Sequence, residues 1–394
     1  MRLRPALCLS GWLACAATAQ TTHVVGPGFL PEIRSALALA SAGDVILVLP
    51  GTYAHFTAAV GVTIRAVTPG TVAVTWQPQY VPAPCLVDPS CLAAEGVTLF
   101  APPLGQTIHV VGVDFLPNVY QGVVTVRHCV AVSNASVSFD QCSMQANGTI
   151  ALWVFGSAIH LQDCAVAGTG TTAAAHGMLL VDSMATAADS MFAGNSGLAN
   201  PGDAVVAINS TFHGASLQAF GGAATAGGTG AAALRSTATS TLWICDSMLT
   251  ATNQCPLIAN GAGGRIQRST LMPTSGCASL APGPMLGVDR PVPPLGGGSF
   301  TLRFRSDPNV LVAVLVGPEL AVASAPGLIE QPLSLSLMNW FGGGVYMTDA
   351  SGFLSVTWSM PGGSPFVNEP LWFQAVGGLT LPLQVSPIAG GIVR

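Results

Sequence analysis

Between residues 108 and 272 the chain repeats a short alternation of apolar and polar positions, clearest in "FDQCSM" (139–144), "LQDCAV" (161–166) and "AADSMF" (187–192). Aligned on the last apolar residue of the motif, the anchors are Phe115, Met144, Val166, Phe192, Phe212, Leu249 and Leu271, spaced 29, 22, 26, 20, 37 and 22 residues apart. Five places before each anchor stand Val110, Phe139, Leu161, Ala187, Ala207, Ile244 and Ile266, all apolar. Seven places before, the column is again apolar or small, whereas six before it is mostly polar: His109, Ser138, His160, Thr186, Val206, Trp243 and Arg265. In, out, in is the period-two signature of a strand with one buried face.

Recurrence at about 20 to 30 residues means that each strand belongs to a unit unable to bury its face alone. Helical repeats would need i, i+3, i+4 spacing and good helix formers, while these units carry Gly, Ser, Thr and Val. A propeller needs about 40 residues per blade. The pattern therefore predicts an all-β right-handed parallel β-helix, one unit per coil, with like residues superposed at about 4.8 Å. The stretch "GGAATAGGTGAAA" (221–233), inside the longest interval, is expected to be a loop bulging from one coil.

The ends of the chain differ from its middle. "VVGPGFLPEIRSALALASAGDVILVLPGTYAHFTAAVGVTIRA" (24–66) predicts a short amphipathic helix at roughly 30–41, and then Gly43, Asp44, Ile46, Val48, Pro50, Gly51, Thr52 and Tyr53 in the order GD-x-I-x-V-x-PGTY. This segment resembles the opening of pectin-lyase-like β-helix proteins. The resemblance implies that the helix caps the open end of the solenoid, an edge that would otherwise invite aggregation. It implies fold more than activity, since that superfamily holds lyases, hydrolases, epimerases, adhesins and inert scaffolds. At "APGPMLGVDRPVPPLGGG" (281–298) the repeat stops. The strand-like runs "SFTLRFR", "NVLVAVLVG", "FLSVTW" and "LWFQAV" follow, as in a small antiparallel β-sandwich. They are similar to the C-terminal sandwich appended to many secreted bacterial proteins. The expected organisation is a leader at 1–19, the β-helix at 20–285, a linker at 286–298 and the sandwich at 299–394.

Composition narrows the function. Charged residues are only 7%, the net charge is −5, and all 12 basic residues are arginine. No lysine excludes Schiff-base catalysis, and no basic stripe argues against nucleic acid as a partner. "MRLRPALCLSGWLACAATAQ" has the charged start, apolar stretch and small-residue cleavage site of a secretory signal, with cleavage expected after Ala19. No later run is long enough to span a membrane, so a secreted or cell-surface protein is expected. Eight cysteines remain, and an even count in an exported chain suggests disulfides. The candidates are Cys85 with Cys91 as a loop staple, Cys142 with Cys164 in adjacent coils, and Cys255 with Cys277. A reduced thiol rung is the alternative for Cys142 and Cys164.

Candidate chemistry lies three places before each anchor, where Gly112, Gln141, Asp163, Asp189, Asn209, Asp246 and Arg268 form an outward polar column. Asp163 and Asp189, about 5 Å apart by coil stacking, repel unless a proton or cation intervenes. Gln141 and Asn209 flank them, and calcium accepts such oxygens. The family resemblance implies a lyase use: Asp-bound calcium acidifies the proton beside a uronate carboxyl, and an arginine (Arg268, Arg127 or Arg235) removes it. The competing explanation is that Asp, Asn, Gln and Ser fill β-helix turns because they bond neighbouring amides. Asp246 and Arg268 would then be a surface ion pair, and His109 and His160 surface histidines in one column. Trp153, Trp243 and His176 are candidates for stacking on a sugar ring. A groove for an acidic polymer needs basic residues, yet residues 108–272 contain only Arg127, Arg235, Arg265 and Arg268. The leading expectation is an exported, non-enzymatic surface or matrix protein without a cofactor, meeting extracellular polysaccharide or a cell-surface protein. The alternative is a calcium-dependent polysaccharide lyase or glycoside hydrolase acting on acidic polysaccharide.

Overall fold

The computed structural model describes residues 20–75, 96–103, 105–116, 119–120, 123–124, 128–170, 174–225, 228–273, 280–282, 285–289, 298–336, 341–359 and 370–393. Three parallel sheets run along a β-solenoid. The first has 11 strands, from Thr22–Val25 to Ala281–Pro282; the second has 9, from Gly51–Ala54 to Thr270–Met272; the third has 8, from Thr57–Ala58 to Leu257–Ile258. One coil reads Ser136–Asp140 in the first sheet, Ser143–Asn147 in the second and Ile150–Phe155 in the third; Ala158–Gln162 then lies beside Ser136–Asp140. Among the described residues no helix is long and apolar enough to cross a membrane.

The predicted superposition holds residue by residue. Phe139 pairs with Val110 on one side and Leu161 on the other, and Met144 pairs with Phe115 and Val166. These side chains are fully or almost fully buried in one continuous core. One rung was misplaced, however. Phe212 does not stand over Phe192; it pairs with Ala185 and Leu242 in the first sheet, and Ala219 takes the place beside Phe192. With Ala219 as the anchor, the intervals 20 and 37 become 27 and 30. The cause is an exchange of volumes within one coil. Leu217 fills the corner where other coils carry Ser or Cys, so the paired position Gly214 must be small, and a Cβ there would lie 2.3 Å from Leu217 Cδ1. Phe212 fills the remaining space and meets Phe192 edge-on at 6.1 Å. Side-chain size is thereby moved between columns of one coil.

The low-complexity stretch also differs from expectation. Ala231, Ala232 and Ala233 are buried, and the chain lies against the loop of the previous coil through a bridge between Leu198 and Ala224. Gly222 is needed there, because a Cβ would lie 1.8 Å from the Asn195 carbonyl oxygen.

The solenoid begins with a cap. Helix Ile33–Leu37, shorter than the expected span, buries Ile33 and Ala36 against the first strands. Asp44 of the GD motif accepts hydrogen bonds from the Thr21 and Ser41 amides at 2.9 and 2.8 Å and contacts His23 at 3.2 Å. Burial alone would raise its carboxyl, yet these bonds outweigh that and hold it below the usual range.

After the last coil the chain forms antiparallel sheets. Gly287–Asp289 is already an edge strand there, paired with Ser299–Arg305, and Leu286 and Val288 belong to the C-terminal core. The strand Pro370–Gly377 is buried on both faces. Leu371, Phe373 and Ala375 enter the C-terminal core, while Trp372 points the other way, at 6.0 Å from His109 and 5.0 Å from His160 of the first sheet. The C-terminal module therefore lies over the outer face of the first sheet.

Phe139→Ala should cost about 3–5 kcal/mol, the usual penalty for deleting a buried ring. Thermal unfolding followed by circular dichroism checks this, and an unchanged midpoint would contradict the packed position of that rung.

Candidate functional site

Gln141, Asp163, Asp189, Asp246 and Arg268 do share a column, at the corner between the first and second sheets. Every member has a left-handed backbone: φ is 69° at Gly112, 55° at Gln141, 52° at Asp163, 49° at Asp189, 54° at Ser216, 51° at Asp246 and 47° at Arg268. Asp and Asn tolerate this conformation best after Gly. At Cys142, Cys164, Ser190, Ser247 and Ser269 the corner is then closed by a hydroxyl or thiol. Ser190 Oγ donates to the Ala188 carbonyl at 2.8 Å and accepts from the Cys164 amide at 3.1 Å. Ser247 repeats this with Cys245 and Leu217. Asn209 belongs to a different corner, between the third and first sheets, with Asn134, Gly156 and Asp182. It is exposed and donates to the Asp182 carboxylate, so it does not flank the aspartate pair. The shift of one rung at Phe212 had brought it into the wrong column.

Asp163, Asp189, Ser216 and Gln218 line an open cleft of about 480 Å³, with Met191 at its edge. Gln162 Nε2 donates to one Asp189 oxygen at 2.8 Å. Calcium takes 6–8 oxygens, and the described residues contain no group of three His, Cys, Asp or Glu side chains able to hold a metal. Two carboxylates, a hydroxyl and an amide are too few oxygens for a resident calcium site. Arg268 is also committed elsewhere. Its guanidinium holds Asp246 bidentately at 2.8 and 3.0 Å, meets Gln267 Oε1 at 2.6 Å and donates to the Arg305 carbonyl at 3.3 Å. It stands three coils beyond Asp189, about 14 Å by stacking distance. The pair with Asp246 is present as expected, but it sits half-buried beneath the C-terminal module.

The cysteines of neighbouring coils are free thiols, which corrects the Cys142–Cys164 bridge. Each Sγ points back to a carbonyl two residues earlier, Cys142 to Asp140 and Cys164 to Gln162, taking the role that serine has in later coils. Burial pushes the Cys164 thiol up and Cys129 to about 12, so neither is a nucleophile at neutral pH. Cys85, Cys91, Cys277, Arg127 and the leader at 1–19 lie outside the described residues. His109 and His160, expected at the surface, are buried with Ser138 between them. Trp243 is 7% exposed beside Met285, which removes it as a sugar-stacking residue.

The outer face of the third sheet is different, because its apolar side chains reach solvent. The His128 and Trp153 rings stack at 4.8 Å and 13°, and Trp153 and Phe155 lie at 5.9 Å and 13°. Phe155 and Ile208 are exposed, and Leu179 and Val206 continue the Trp153 column to Arg235. Asp203 grips Arg235 at 2.6 and 3.0 Å and accepts the Ala232 amide at 2.7 Å. His176 Nδ1 accepts the Asp203 amide at 3.0 Å, which leaves its proton on Nε2. Burial lowers this imidazole against the opposing pull of Asp203. Sequence reasoning singled out Trp153 and His176 without their setting. The signal for the rest was "IALWVF" (150–155), where tryptophan and phenylalanine occupy outward positions of the alternation.

No family model matches the chain, and no curated protein matches it. Among solved structures, the enzymatically active domain of tailspike protein 2 from bacteriophage CBA120 is 8% identical over 91% of this chain and 73% of its own, with a TM-score of 0.24. Full-length tailspike protein 2 from the Escherichia coli O157:H7 bacteriophage is 8% identical over 91% of this chain and 65% of its own, with a TM-score of 0.22.

If the aspartate column exists for its backbone, Asp163→Gly should leave thermal stability unchanged or slightly raised. Asp163→Val should lose about 1–2 kcal/mol, the cost of a left-handed conformation for a branched residue. Equal stability of the two variants would contradict this.

Proposed function

We propose that the protein is an exported, non-enzymatic β-helix protein of the cell surface or extracellular matrix, a member of the pectin-lyase-like superfamily, that binds glycan on the outer face of its third sheet. The observation carrying this reading is the row of near-parallel rings of His128, Trp153 and Phe155. Flat aromatic faces meet the apolar faces of sugar rings, and polar groups at their rim fix hydroxyls. Here the apolar strip of Trp153, Leu179 and Val206 leads to Arg235, Asp203 and His176, a run of about 15 Å by coil spacing. That length suits a short run of sugar residues. An apolar patch that reaches the surface, as Phe155 and Ile208 do here, is itself a mark of a binding site. The charged start, apolar stretch and small-residue site of residues 1–19 support export.

The alternative, a calcium-dependent lyase or hydrolase, would use the cleft of Asp163 and Asp189. Its carboxylates have the wrong sign for an acidic polymer, and no arginine lines it.

Trp153→Ala should weaken glycan binding at least about tenfold, the effect of roughly 1.4 kcal/mol of lost ring contact, with thermal stability little changed. Microarray screening followed by calorimetry on the best glycan checks this. Full affinity in the variant would contradict the reading, as would calcium-dependent release of unsaturated uronate by the wild type.

A further inference from the structure

The outer face of the first sheet carries a column of unusual composition: His109, Ser138, His160, Thr186, His213 and Trp243, register partners from coil to coil. All are 8% exposed or less. A solenoid with this face bare would present it to water; here the C-terminal module covers it. His109 Nδ1 is 2.6 Å from Ser138 Oγ, and His160 Nδ1 is 2.9 Å from Thr186 Oγ1. Trp372 of the module lies stacked over His109, and the strand Gly287–Asp289 packs against Thr211–Ala215, the strand of His213. His213 Nε2 has no hydrogen-bond partner among the described residues. The cover fits incompletely: a gap of about 20 Å³ remains where Ala158 and Thr186 face Leu320 and Ser334.

We propose that the C-terminal module is an acid-released cover on the solenoid, its docking dependent on His109 and His213 staying neutral. A proton on either imidazole would be a buried charge facing an indole, hydroxyls and backbone. Among the described residues no ion pair is formed with His109 or His213. Asp140 stands in the neighbouring outward column, on the strand between those of His109 and His160. Glu330 of the module pairs with Arg265 at 2.6 Å, at the far end of the column. Asp246 is held by Arg268, with Arg305 at 3.8 Å. Asp289 ends the strand beside Thr211–Ala215.

Burial pushes His109 down to about 4 and His213 to about 3. With the module undocked, both imidazoles of the solenoid return to about 6.5. The docked pKa is the lower one, so the undocked state binds more protons between these values. Docking is therefore fully favoured above about pH 6.5 and weakens as pH falls towards about 4. Between about pH 7.5 and 5, each histidine raises the opening equilibrium roughly 30-fold, and the two together several hundred-fold.

Cys245 reports on this opening. It is a free thiol on the outer face, buried with Trp243 and Met285, whereas Cys164 lies in the solenoid core. Native-state labelling of the full chain with 4,4′-dithiodipyridine, corrected for intrinsic thiol reactivity at each pH, gives an opening constant for each cysteine by mass spectrometry. The Cys245 constant should rise several hundred-fold between about pH 7.5 and 5 while that of Cys164 stays level. H109Q/H213Q should abolish the rise, and E330Q should retain it. Should the double variant not fold, H109Q and H213Q singly should each remove about half of the logarithmic response. A pH-independent Cys245 constant overturns the proposal. So does a rise shared equally by Cys164, which is unfolding of the solenoid, or a rise that survives both histidine substitutions.

Discussion

Backbone hydrogen bonding between coils is the constraint from which the rest of the molecule follows. A parallel strand inside the solenoid finds partners for its amides and carbonyls only in the coils above and below. Once that registry is set, every side chain has a near-identical neighbour at about 4.8 Å on each side. Columns must then be compatible along their whole length: apolar inside, left-handed at the corners, and either covered or soluble outside.

The three outer surfaces meet that last requirement in different ways. The first sheet carries hydroxyls, imidazoles and one indole, joined in part by the His109–Ser138 and His160–Thr186 contacts, and the C-terminal module covers them. The corner beside it carries three aspartates among residues that all share a left-handed backbone. The third sheet leaves an aromatic and aliphatic strip uncovered. Burial therefore divides chemically similar residues into separate roles. Trp243 is packing, Trp153 is the ring proposed to meet a glycan, and the hidden histidines of the first sheet are the groups proposed to respond to protons.

Much of this architecture was legible from period-two alternation, since the inward columns around Phe139 and Met144 are apolar in every coil. The cap was legible through Asp44 and the turn that follows it. The exchange of Leu217, Gly214 and Phe212 was not, because side-chain size can move between columns of one coil; a large phenylalanine in the first sheet therefore imitated a rung of the second. The covering of His109 and His160 was hidden for another reason. It depends on a strand more than two hundred residues away, whose only hint was "LWFQAV", apolar on both faces. The aspartate column was visible, but sequence cannot separate a residue kept for its φ from one kept for its carboxylate.

Cross-linking across one rung tests the registry most directly. Met191 and Gln218 are exposed register partners in the second sheet, whereas Thr211 pairs with Met184 in the first. M191C/Q218C should form a disulfide on mild oxidation, since adjacent strands bring Cα atoms within the usual reach of about 4.4–6.8 Å, and M191C/T211C should not. The opposite result would place Phe212 over Phe192 and contradict the stacking described for the later coils.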